Sequence, residues 1–186
     1  MSKPIAHRMD EWPLKSAVGD PAAFADIVRE HQAMVYGIGY HFLRDNALAE
    51  DLAQDVFLHL YRNLSGIKSP DHLRFWLRKV ACHRCIDRAR RTNAKPQISL
   101  EDVAEPRAPD RTGDPLAERM LQRLVGALPE KARLIVILRY QEDLEPVEIA
   151  EVLRMPVNTV KSHLRRSLAI LREKVARQDQ RVGAQA

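Results

Sequence analysis

The sequence is poor in aromatic residues, at 5%, and has only 7 glycines in 186 residues. Both scarcities weigh against a β-sandwich or barrel, whose strands draw on aromatic side chains and whose turns draw on glycine. No stretch sustains the apolar–polar alternation of a half-buried strand, so no sheet is expected. The two cysteines, Cys82 and Cys85, are too few for a disulfide framework. No run of about 18 apolar residues is present to span a bilayer. The N-terminal stretch has no long apolar core of the kind that marks a signal peptide. A cytoplasmic protein with no membrane contact is the expectation. No nucleophile is paired with a base and no glycine-rich phosphate loop occurs, so no catalytic residue and no cofactor is assigned, and an enzyme is not expected.

What is present is enough apolar sequence, 45%, for one ordinary domain or two small ones. Helix starts are well marked. Asp20-Pro21, Ser69-Pro70 and Asp114-Pro115 each set a capping side chain before a proline, whose missing N–H is not needed in a first helical turn. Leu128-Pro129-Glu130 and Glu145-Pro146-Val147-Glu148 read as further starts. Helices are expected over about 21–43, 46–63, 70–92, 115–127, 130–141, 146–153 and 157–176. Residues 93–114 contain Pro96, Pro106 and Pro109 and show no apolar period. They read as a flexible linker between two small helical domains, 20–92 and 115–177. The fold class is therefore all-α.

The net charge of +5 matters less than where it sits. From His72 to Arg91 seven basic residues stand against Asp87 alone, a balance of +6. From Arg154 to Arg177 seven stand against Glu173 alone, again +6. These are either two solvated helix faces or two contacts on one polyanion. In the second segment Val147, Ile149, Ala150, Val152 and Leu153 give a short helix, Arg154, Met155 and Pro156 a tight turn, and Val157, Val160, Leu164 and Leu168 the apolar stripe of a longer helix. That is a helix-turn-helix. Its second helix would enter a major groove, where Asn158, Thr159, Lys161, Ser162, Arg165 and Arg166 could meet bases and phosphates. The position after Leu153 calls for a left-handed backbone, normally glycine; here it is Arg154, at a cost on the order of 1 kcal/mol.

The first domain has a different chemistry. Leu48, Leu52, Val56, Leu60 and Leu64 form a core stripe, while Glu50, Asp51, Gln54 and Asp55 make an acidic surface suited to a cationic protein partner or to solvent. The next helix, from Leu73 to Arg91, sets Arg74, Arg78, Lys79, Arg84, Arg88 and Arg91 beside Phe75 and Trp76. Cations with rings suit single-strand contact, where rings stack bases and cations hold phosphates; the rings suit a core equally.

The segments AEDLAQDVFLHLYR, FWLRKVACHRCIDRARR, LPEKARLIVILRY and EIAEVLRMPVNTVKSHLRR, in that order, resemble the extracytoplasmic-function (group 4) class of bacterial RNA polymerase sigma factors over roughly residues 20–176. The resemblance implies that the first domain (region 2) binds the β′ clamp helices of core RNA polymerase and melts the −10 element. The second (region 4) would bind the β flap and read the −35 element, with an anti-sigma protein controlling the whole. By position, Asp51, Gln54 and Asp55 would contact core polymerase. The loop from Asn63 through Ser65 to Lys68 would hold an extruded −10 base. Lys79, His83, Asp87 and Arg88 would face the −10 strand. Asn158, Thr159, Lys161, Ser162, Arg165 and Arg166 would serve the −35 element. The sequence departs from the commonest pattern at His83, Arg154, Asn158 and His163, which bears on the promoter preferred.

Two other readings stay open. A stand-alone helix-turn-helix regulator would bind duplex DNA without polymerase. Cys82 and Cys85, three residues apart, could serve redox or metal chemistry. A structural zinc needs four ligands and no second pair exists, so no metal ligand is assigned: Cys85 is expected to be a buried hydrophobe and Cys82 to lie at a packing edge.

Overall fold

The computed structural model of the chain describes residues 20–93 and 115–183, and the described residues are helical, with no strand among them. Seven α-helices follow in order: α1 Pro21–Leu43, α2 Asn46–Arg62, α3 Pro70–Asn93, α4 Pro115–Gly126, α5 Glu130–Tyr140, α6 Pro146–Leu153 and α7 Val157–Gly183. A single 3-10 turn, Leu64–Gly66, lies between α2 and α3. Apart from Asn93, the linker expected over 93–114 lies outside the described residues.

The capping signals explain the boundaries. The Ala22 N–H donates to Asp20 Oδ1 at 2.8 Å, and the Leu48 N–H donates to Asp45 Oδ1 at 2.9 Å. Only Arg44 and Asp45 join α1 to α2. Arg44 adopts φ 60 and ψ 32, and its N–H closes α1 on Tyr40 O at 2.7 Å. Two residues leave the helices antiparallel and in close contact. At Gly39 a Cβ would come within 3.3 Å of Leu52 Cδ2 and 3.5 Å of Ala49 Cα, so glycine and alanine set the spacing of this pair.

The first domain packs Ile27, Val35, Ile38 and Phe42 of α1 against Leu52, Val56 and Leu60 of α2 and Leu73, Leu77 and Ala81 of α3. The stripe expected on α2 holds for Leu52, Val56, Leu60 and Leu64, but Leu48 is 38% exposed. Leu48 lies in the first turn of α2, where its neighbour Ala49, fully buried, is the residue that meets Gly39 of α1. Cys82 is as fully buried as Cys85, so the packing edge expected for it is corrected. The reason lies in the second domain, which covers α3.

In that domain α6 and α7 pack on α5, and the turn between them is well formed. Arg154 takes φ 51 and ψ 54, the left-handed conformation expected there. The Met155 N–H donates to Ala150 O at 3.0 Å and the Arg154 N–H to Glu151 O at 3.3 Å. These are the two closing bonds of a Schellman turn. The Glu148 carboxylate reaches back to the Glu145 N–H at 2.7 Å and fixes the start of α6.

Candidate nucleic-acid interface

Three surfaces follow from this packing. On α7, Val160, Ser167 and Leu171 are buried, which orients the helix. Asn158, Lys161, Ser162 and Arg165 recur at intervals of three, one and three and so share the opposite face, with Thr159 and Arg166 on its flank. Asn158, Lys161, Arg165 and Arg166 are exposed; Thr159 and Ser162 are half-buried. Lys161, Arg165 and Arg166 form no ion pair among the described residues. The structure thus gathers all six expected −35 residues on one side of the second helix of the helix-turn-helix.

On α3, Phe75, Lys79, His83 and Asp87 stand four residues apart along one line. Lys79 Nζ lies 5.5 Å from the centre of the Phe75 ring, a cation–π placement. His83 is exposed, and partial desolvation by its neighbours lowers its pKa from the ordinary value, helped by the charges of Arg154 and Lys79 and opposed by Asp87. In its neutral form it can donate from one ring nitrogen and accept at the other. Arg88 is turned away from this line, towards α2. Its Nη2 donates to Asp55 Oδ2 at 3.1 Å and its Nη1 to Leu48 O at 3.3 Å, with Asp51 Oδ2 at 3.9 Å. Arg78 is likewise committed, to Glu142 beyond α5 at 3.0 Å. The cationic surface expected on α3 is therefore narrower than its charge count. Phe75 and Trp76 are both half-buried, Trp76 edge-on to His59 with ring centres 5.3 Å apart.

The loop between α2 and α3 is pinned by two buried side chains, Leu64 and Ile67. Asn63 Nδ2 donates to His59 O at 2.8 Å, the Lys68 N–H to His72 Nδ1 at 3.1 Å and the His72 N–H to Ser69 Oγ at 3.1 Å. Ser65, Gly66 and Lys68 are left exposed on a braced loop.

The third surface is the outer side of α2. Asp51, Gln54 and Asp55 are exposed on it. Leu58, 56% exposed, and Tyr61, 51% exposed, extend it towards the loop, with Tyr61 edge-on to Phe24 at 5.1 Å. Large apolar groups beside carboxylates make a mixed surface of the kind that protein partners cover. Sequence reasoning missed Leu58 and Tyr61. Their signal was being apolar off the core stripe. Among the described residues no group of three or more His, Cys, Asp or Glu is placed to hold a metal ion. No described helix is long and apolar enough to cross a membrane.

Comparison with known proteins matches residues 27–95 to the family model for Sigma-70 region 2, and residues 118–171 to that for Sigma-70, region 4. The ECF RNA polymerase sigma factor SigW of Bacillus subtilis (strain 168) is 31% identical over 172 residues, covering 84% of this chain and 91% of its own. The ECF RNA polymerase sigma factor SigM of Mycobacterium tuberculosis (strain H37Rv) is 29% identical over 153 residues, 82% of this chain and 77% of its own. In fold, the chain is similar to the sigma factor RpoE of Bartonella quintana, solved in complex with the anti-sigma factor NepR. The TM-score is 0.67 at 18% identity, over 82% of this chain and 96% of that one.

Proposed function

Because the chain belongs to the extracytoplasmic-function class of RNA polymerase sigma factors, we propose a division of labour among the three surfaces. Residues 20–92 act as region 2, 93–114 as the connecting segment and 115–177 as region 4. The α2 surface with Asp51, Gln54 and Asp55 docks on the β′ clamp helices of core polymerase, and region 4 docks on the β flap. Ser65, Lys68 and the Lys79–His83–Asp87 line of α3 take the unpaired −10 strand, with Asn63 bracing the loop. Arg88 holds the acidic side of α2 in register with α3. Asn158, Thr159, Lys161, Ser162, Arg165 and Arg166 meet the −35 duplex.

The observation that carries this reading is the α7 face, where exposed cations and amide and hydroxyl groups have no ion partner among the described residues while the helix's other side is buried. Arginine pairs with guanine edges or phosphates, and Asn158 and Ser162 bond either. The α2 surface then accounts for the first domain, which a stand-alone helix-turn-helix regulator would leave without a task. The protein works on this reading by binding alone, in the cytoplasm, and an anti-sigma protein covers its polymerase-facing surfaces until it is needed.

The test is binding to core RNA polymerase. The wild-type chain is expected to bind tightly, and Asp51→Arg/Gln54→Ala/Asp55→Arg to lose at least tenfold while keeping its helical circular dichroism. Duplex binding without any affinity for core would return the protein to the stand-alone regulators.

A further inference from the structure

Among the described residues, three that are not glycine hold a left-handed backbone: Arg44 at φ 60, Asp143 at φ 51 and Arg154 at φ 51. An L side chain is strained there, aspartate and asparagine less than most. Two of the three have a reason in the fold. Asp143 is of the type that tolerates the conformation. Arg44 is laid against the end of α4, where a Cβ at Gly126 would come within 2.7 Å of its Nη1. Arg154 has neither reason. It is exposed, and its side chain forms no hydrogen bond or ion pair among the described residues.

The turn itself does not call for an arginine. Both of its closing bonds are between backbone groups, Met155 N–H to Ala150 O and Arg154 N–H to Glu151 O. Glycine would make both without strain. Nor does the guanidinium tie neighbouring elements together. Glu151, exposed on α6 three residues earlier, makes no ion pair with it. On α3 the charge of Arg154 reaches His83, whose pKa is lowered first by desolvation and next by that charge. A cation that opposes protonation of its neighbour adds no attraction across that contact. Residues held in a strained conformation without a structural return gather at binding and active sites.

The place of Arg154 in the helix-turn-helix says what such a side chain can bind. In this motif the first helix crosses the DNA backbone and the second lies in the major groove. The turn between them, Arg154 to Pro156, therefore sits at the groove edge beside a phosphate strand. Four residues on, Asn158 opens the exposed polar face of α7. A guanidinium matches a phosphate with two parallel hydrogen bonds and stays charged at any working pH. We propose that Arg154 is a further phosphate-binding position on the −35 duplex, held at the groove edge by the left-handed turn and indifferent to base sequence. The inference rests on the sigma-factor reading and adds one contact outside the six residues of α7. A phosphate contact strengthens binding to every duplex alike. The departure from glycine at this position then raises affinity and does not select the promoter.

The experiment assembles the full chain with core RNA polymerase and lets the wild-type holoenzyme select a −35 duplex from a random pool. Binding to that duplex and to a scrambled one is then measured from about 50 to 200 mM salt. The wild type is compared with Arg154→Gly, Arg154→Gln and Arg154→Lys. Arg154→Gly relieves the turn and removes the charge, so its urea midpoint should be equal or higher. Both duplexes should nevertheless bind it about three- to tenfold more weakly at about 100 mM salt, with the salt slope lower by about 1. Arg154→Gln, uncharged but without the freedom of glycine, should lose the same slope, and Arg154→Lys should keep it. A glycine variant with the wild-type slope would overturn the contact. A loss confined to the selected duplex would overturn it in favour of base reading. Weaker binding by all three variants at an unchanged slope would assign the effect to turn geometry. A holoenzyme that selects nothing beyond what core polymerase selects alone would sink the sigma-factor reading. The salt slopes of the isolated full chain on any duplex would still decide whether Arg154 holds a phosphate.

Discussion

The two basic helices, α3 and α7, carry the same balance of charge and use it differently. α3 commits two of its arginines to partners within the protein, Arg78 to Glu142, whose side chain is 11% exposed, and Arg88 to the exposed Asp55. α7 displays Lys161, Arg165 and Arg166, all exposed, without an ion pair among the described residues. A charge count would have made the two equal polyanion surfaces. The difference suits the tasks proposed for them. A duplex presents a dense phosphate lattice that rewards uncommitted cations. A melted strand is held by a few braced groups and rings, and surplus charge there would bind duplex indiscriminately.

The largest expected effect breaks the committed side. Arg133→Ala removes donors to Phe42 O and Leu128 O and leaves those carbonyls unmet at the seam between the two domains. A loss of about 2–4 kcal/mol is expected, read as a lower urea midpoint. Arg165→Ala, on the displayed side, should leave the urea midpoint within about 0.5 kcal/mol. It should cost about 1–3 kcal/mol on the cognate −35 duplex if the contact is a bidentate one to a base. Equal losses on cognate and scrambled duplex would remove Arg165 from base reading. Lys161→Ala is expected to weaken all sequences alike and to lower the salt slope by about 1, as a phosphate contact does.

A smaller effect sharpens the comparison at Arg88. Its partners Asp51 and Asp55 are 65% and 51% exposed, so water and salt screen the pair. A double-mutant cycle of Arg88→Ala with Asp55→Ala should give a coupling below about 1 kcal/mol that shrinks in high salt. A coupling several times larger would mean that Arg88 is structural to the exclusion of any role at the −10 strand.

Most of the fold was legible in local chemistry. Caps at Asp20, Ser69 and Glu145 placed the helix starts, because a cap is a contact between residues two or three apart. The left-handed turn at Arg154 was legible from the pattern around it, even without glycine. The seam was not. Arg78 and Glu142 are 64 residues apart, and no local period connects them. The unbroken run Leu134–Leu138 announced a helix covered on all sides but not by what. The same covering hid Cys82, whose thiol is pushed well up by burial, as Cys85 is pushed up to about 12. Thiols held in that form are poor nucleophiles, which weighs against the redox reading of the pair. The surface residues were nameable from the resemblance; Leu58 and Tyr61 stood out only as apolar residues off the core stripe, and that they are exposed is a tertiary fact.

The smallest expected effect lies at His31, on the buried side near the committed arginines. Burial lowers its pKa; Glu30 pulls it up, and Arg74 and Arg78 push it further down. Its Nε2 has no hydrogen-bond partner among the described residues, with the Glu30 carboxylate 3.8 Å away. The unfolded imidazole takes its proton near 6.5, the folded one only at lower pH. Between those values the unfolded chain binds more protons, so stability is full above about pH 6.5 and falls as the pH drops through that window. His83 has the same sign, so His83→Gln serves as the background. On that background, urea midpoints measured from pH 7.5 to 5.5 should decline for the chain that keeps His31 and stay flatter for His31→Gln. Parallel declines would assign the pH dependence to groups other than His31. The comparison would then keep its arginines and lose its histidine.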